Sequence, residues 1–184
     1  MTAETLEQFQ LATDSFTNLL AGVRPDQLEI QTPCPDWSVQ ELISHVVTGN
    51  LMFTRLFTGA EPPAVDAVGD PVAAITVSGK ALREAASVEG VLERTFVTRM
   101  GERTGARLMA MRVVELSVHG WDLAQATGQS FELPESIVET CFGMLRAMLP
   151  EDRNGLPYGA EQQAGPEASP TQRLAAFAGR TVAA

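Results

Sequence analysis

Apolar residues recur at helical spacing through most of this chain, and the breaks between the stripes fall on proline and glycine. Leu6, Phe9, Thr13, Phe16 and Leu20 line one face of a helix over 3–21, and Gly22 is its stop. The next helix has the clearest start. Ser38 and Glu41 stand three apart, as a capping box requires, and Trp37 and Leu42 occupy the positions of a hydrophobic staple. Its stripe runs through Val39, Leu42, Val46, Phe53 and Leu56 to Gly59. Asp70 followed by Pro71 opens a third helix to about Ser87. Between Gly90 and Gly105 the helical period fails. Thr95, Phe96, Val97 and Thr98 favour extended backbone, so an extended or hairpin-like connection is expected there. A fourth helix spans 106–127 before Gly128, a fifth runs from Pro134 to near Leu149, and Ser169 with Pro170 opens a short last one. The predicted fold is all-α, a four-helix bundle with short C-terminal helices.

At 184 residues, one domain over 1–184 is expected, with 151–167 as an irregular Gly/Pro-rich excursion. The balance of 13 basic and 23 acidic residues argues against nucleic acid and against an anionic membrane surface. No stretch reaches the ~18 apolar residues of a membrane span. The start, Met1-Thr2-Ala3-Glu4, lacks the basic and apolar segments of a secretion signal, so a cytoplasmic location is expected. Cys34 and Cys141 are then expected as thiols.

The chemistry concentrates in the fourth helix, which reads Glu115-Leu116-Ser117-Val118-His119-Gly120-Trp121-Asp122. Glu115 and His119, four apart, share one face, and Asp122 follows three beyond. Carboxylates on a mostly apolar helix need compensation. Glu115 and His119 can share a divalent metal, and His45, facing the bundle interior, is the natural third ligand. The chain has two histidines, so imidazole ligands are limited to these. Two imidazoles and a carboxylate leave a position open for water, thiol or substrate. The plainer reading is a hydrogen-bonded core histidine, with Glu115 paired to Arg112 on the helix surface. Asp122 either orients a ligand histidine, acts as a base, or is a surface carboxylate.

The run Thr32-Pro33-Cys34-Pro35-Asp36-Trp37-Ser38-Val39, with Leu42 and His45-Val46, resembles the first signature of the DinB-like metal-binding proteins. More narrowly, it resembles their actinobacterial branch related to mycothiol-dependent maleylpyruvate isomerase. Val114 to Leu123 resembles the second signature, and Gln172 to Arg180 is similar to that branch's tail. The resemblance implies a four-helix bundle in which His45, Glu115 and His119 hold one divalent ion, zinc first, with nickel or iron also compatible. It implies a low-molecular-weight thiol and a small-molecule substrate as partners, with a homodimer allowed. The isomerase of that branch carries a further C-terminal domain. After Leu149 this chain has only the Pro/Gly-rich stretch and a short helix, so the resemblance does not carry maleylpyruvate over as the substrate.

Three functions are compatible with this pattern. The first is a thiol transferase or isomerase in which the metal activates a thiolate. The second is a hydrolase using metal-bound hydroxide, and the third a bundle that binds metal or a small ligand without turnover. Trp37 is read as the staple residue and Trp121 as core. Cys34 lies about 15 Å from His45 along the helix axis, at 1.5 Å per residue. It and Cys141 are read as structural thiols, and Met109, Met111, Met144 and Met148 as core filler.

Overall fold

The computed structural model describes residues 2–35, 37–99, 101–153 and 158–182. Asp36 of the first signature and 154–157 of the excursion lie outside the described residues. The helices are α1 (Thr2–Leu20), α2 (Val39–Thr58), α3 (Pro71–Ala86), α4 (Gly105–Thr127), α5 (Glu135–Met148) and α6 (Pro170–Phe177). Strands β1 (Thr95–Thr98) and β2 (Gly101–Thr104) pair antiparallel, Thr95 opposite Thr104 and Thr98 opposite Gly101. The break in helical period is thus a hairpin, as its β-prone run implies.

The ends of the helices follow from local chemistry. Ser38 accepts from the Glu41 amide while the Glu41 carboxylate accepts from the Ser38 amide, so the capping box forms. Asp70 caps α3, Thr104 caps α4, and Ser169 caps α6. Gly59 and Gly128 end α2 and α4 with φ of 70°, a left-handed conformation in which a side chain would clash with its own backbone.

The first four helices close a ring. α1 packs on α3 and α4, and α2 packs on the same two. Phe9, Phe16, Leu42, Val46, Ile75, Leu82, Leu108 and Leu116 are buried between them. α5 adds to α4, and α6 rests on α4 and α5. α4 is therefore covered by α1, α2, α5 and α6, and its buried residues run around most of its circumference. This sets the energetics of the site. Polar groups on α4 that would be wet on an outer helix lie out of water here, so each needs a partner. Among the described residues, no buried side-chain nitrogen or oxygen lacks one. Also among them, no helix is long and apolar enough to cross a membrane.

Candidate metal centre

The helical spacing of Glu115 and His119 stacks their side chains on the face of α4 turned toward α2, where His45 meets them. Glu115 Oε2 lies 3.0 Å from His45 Nε2 and 3.3 Å from His119 Nε2. One ligand atom from each of the three residues falls within 4.8 Å of the others. A set of two imidazole nitrogens and one carboxylate oxygen suits zinc with an open position, and equally the two-histidine, one-carboxylate arrangement of ferrous iron.

A second layer of contacts orients these groups. His119 Nδ1 lies 3.1 Å from Asp122 Oδ2. Arg180, just beyond α6, donates from Nη2 to Oδ2 at 2.9 Å and from Nε to Oδ1 at 3.1 Å. Asp122 is completely buried. Burial would raise its carboxyl, but the bonds from His119 and Arg180 and their charges hold it below the ordinary carboxylate range. A charged Asp122 can only accept, so His119 Nδ1 carries a proton, and Nε2, the nitrogen turned toward Glu115, is the one left to bind an ion when the imidazole is neutral.

Glu115 is held on its other side as well. The Tyr158 hydroxyl donates to Oε1 at 3.2 Å, and Arg112 Nη1 stands 4.0 Å from Oε2. Burial works to raise the Glu115 carboxyl. Bonds from His119 and His45, with the charges of His119 and Arg112, outweigh it and hold the group well below its usual value. Burial, the Glu115 charge and the bond to Glu115 together push the Tyr158 hydroxyl far up, so it stays a donor.

Arg112 departs from the surface-pair expectation. It is 2% exposed and donates to Asn50 Oδ1 at 3.1 and 3.3 Å and to the Val46 carbonyl at 2.9 Å, tying α4 to α2 just beyond His45. The expectation failed because it treated α4 as an outer helix. Gly49 makes room for the guanidinium: a methyl group there would collide with it.

Trp37 also does more than a staple reading allows. Gln31 donates to the carbonyls of Cys34, Pro35 and Trp37, and Thr32 donates to the same Trp37 carbonyl, so the loop before α2 is pinned. Its indole stacks on the His45 imidazole at 4.2 Å between ring centres, and the His119 ring stands 5.4 Å away. Cys141 conforms to expectation: it is buried, bonded to Ser117 Oγ, and burial pushes its thiol up to about 11, the mark of an inert group.

Beside the three candidate ligands opens a cavity of about 330 Å³. Met52, Phe53, Met111, Val114, Met144 and Met148 form much of its wall, and His45, Glu115, Arg112 and Tyr158 cluster where they meet around Glu115. Met109 and Met144 are buried in the core as expected, Met144 with one side on the cavity, while Met111 and Met148, also expected as core filler, are only partly buried and line it. Asp122 does not line the cavity. Tyr158 was missed by sequence reasoning because it sits in an irregular segment with no periodicity to place it. Arg180 was legible only as part of the tail run.

Comparison with known proteins bears on the fold and the family. Two uncharacterized proteins of Mycobacterium tuberculosis are each 39% identical to the chain over 183 residues, covering 97% of it and 99% of their own length. The crystal structure of the mycothiol-dependent maleylpyruvate isomerase superposes with a TM-score of 0.55 at 21% identity, over 76% of this chain and 67% of that one. A histidine-to-alanine mutant of that enzyme superposes with a TM-score of 0.54 at 20% identity, with the same coverage. These likenesses are of fold. The family model described as mycothiol maleylpyruvate isomerase N-terminal domain matches residues 9–124, which contain His45, Glu115, His119 and Asp122, and the chain belongs to that family of DinB-like helical bundles.

Proposed function

We propose that this chain is a metal-dependent thiol transferase or isomerase that uses a low-molecular-weight thiol of the mycothiol type. In this reading His45, Glu115 and His119 hold a divalent ion, zinc first among the candidates. The observation that carries it is the convergence of three ligand atoms from α2 and α4 at the edge of an otherwise apolar cavity. Family membership supplies the thiol.

A divalent ion held there favours the thiolate form of a coordinated thiol at neutral pH. The chain's own groups prepare the site for it. Asp122 fixes the His119 tautomer, and Arg180 fixes Asp122. Tyr158 engages Glu115 Oε1 and so leaves Oε2 for the ion. Trp37 holds the His45 ring in its plane by stacking. The methionine wall keeps water from the thiolate's neighbourhood, where a less hydrated sulfur is the stronger nucleophile.

Asp122 acts in this reading by positioning His119, not as a base. Both its oxygens are engaged and neither faces the cavity.

The test is metal content by mass spectrometry on protein purified without added metal, for wild type and for His119→Ala, followed by calorimetric titration with mycothiol, bacillithiol and glutathione. One equivalent of metal in wild type, none in the variant, and binding of at least one thiol are expected. A metal-free wild type overturns the reading. Metal without thiol binding turns it toward hydrolysis at the same centre.

A further inference from the structure

The cavity beside the candidate centre is chemically lopsided. Its polar groups are gathered around Glu115, and most of their hydrogen bonds are made to Glu115 or to α2. The Tyr158 hydroxyl is given to Glu115 Oε1. Arg112 spends Nε and Nη2 on Asn50 and Val46, and its Nη1 faces Glu115 at 4.0 Å. The rest of the wall is thioether and hydrocarbon, with Met52, Met111, Met144 and Met148 drawn from three helices.

Among the described lining residues, a dicarboxylate entering this space would find Arg112 as its one guanidinium, and that cation already stands opposite the Glu115 carboxylate. With Glu115 and the thiolate offsetting the two charges of the ion, Arg112 is left to face two carboxylates, and the second would be desolvated without a partner, which is costly. An apolar body loses nothing on entry and gains the contacts of four adaptable thioethers. Met52 and Phe53 are shared with an open groove beside the hairpin, so the cavity communicates with solvent on that side.

We propose that the small molecule sharing this site with the thiol is uncharged and predominantly apolar, an alkyl or aryl compound and not a dicarboxylate. The inference deepens the thiol-transfer reading and rests on it, but it is measured without thiol or turnover, so the two fail separately.

The experiment is calorimetric titration of the full chain, with and without one equivalent of zinc, against 1-butanol through 1-octanol and against maleate and fumarate. Affinity is expected to rise about fourfold per added methylene until the cavity is full, the fold-change that about 0.8 kcal/mol per CH₂ represents. The dianions are expected to bind at least tenfold more weakly than 1-hexanol. Met148→Asp, in the half-buried wall, and Met52→Asp, at a position 58% exposed, each put a carboxylate into the lining. Both are expected to weaken 1-hexanol binding at least tenfold while the circular dichroism spectrum is kept. Met52 is exposed enough that its variant folds whatever Met148→Asp does. Flat affinity along the alcohol series overturns the proposal. So does dianion binding as tight as that of the alcohols, or unchanged alcohol binding in folded Met52→Asp. Apolar binding with no thiol binding leaves the proposal standing and removes only the transferase reading.

Discussion

Arg180 and Asp122 lie 58 residues apart and form a two-bond ion pair, buried on both sides, directly behind the His119 imidazole. It couples the end of the chain to the candidate centre. A carboxylate in that position has no access to water, so the guanidinium decides whether it stays charged, and a charged Asp122 keeps Nδ1 of His119 protonated and Nε2 turned toward Glu115.

Removing Arg180 therefore acts on stability and on metal binding together. Arg180→Met leaves Asp122 buried without its cation and is expected to lower stability by about 3–5 kcal/mol. Zinc affinity is expected to fall about 10- to 100-fold, as for other groups that orient a ligand histidine. Urea denaturation of the metal-free chain and competitive zinc titration measure the two effects. The double variant with Asp122→Asn should recover part of the lost stability, and its failure to do so would argue against the pair as the cause.

The pH dependence of stability has a worked sign. Burial opposes the His119 charge, but bonds to Asp122 and Glu115 outweigh it and raise the imidazole above its ordinary value. That stabilisation is present below the unfolded imidazole value of about 6.5 and is lost as pH rises through the raised folded value. Asp122 and Glu115 are both lowered despite burial. Their contribution is present above the unfolded values of about 4 and is lost as pH falls through the folded ones. The metal-free chain is expected to be most stable between these ranges. Zinc needs the neutral imidazole, so the stabilisation it adds should grow with rising pH. Melting temperatures from about pH 4 to 9, with zinc and with chelator, test this; a zinc increment that shrinks as pH rises would sink it.

Gly49→Ala should destabilise although alanine is the better helix former. The propensity gain is about 1 kcal/mol, against an overpacking cost of about 1–3 kcal/mol where the new methyl meets the Arg112 guanidinium. A net loss of up to about 2 kcal/mol is expected in denaturant unfolding. A more stable variant would mean that Arg112 is free to move aside.

The stack of Trp37 on His45 gives a direct optical readout. Zinc binding is expected to change tryptophan emission, and the change should vanish in Trp37→Phe while Trp121 continues to emit. An unchanged response in Trp37→Phe would assign the signal to Trp121 and detach the indole from the centre.

The bundle was legible before any coordinates because its signals are local. Ser38 with Glu41, Asp70 with Pro71, and the stops at Gly59 and Gly128 act within one helical turn, and the apolar stripes specify which face turns inward. Glu115 and His119 were legible together for the same reason, since a spacing of four puts two side chains on one face. His45 needed the bundle as well as the spacing.

What the chain could not disclose in one dimension is which helix would be central. Because α4 is covered on nearly every side, Arg112 became a buried tie to α2 instead of a surface partner, and Asp122 became a clamped carboxylate instead of an exposed one. Tyr158 and Arg180 reach the centre from segments with no period of their own, across separations that only packing closes. Sequence thus determined the helices, their ends and the candidate ligand types, which depend on neighbours along the chain. The tertiary structure decided burial, and burial decides which charges must be paired and therefore which residues support the site.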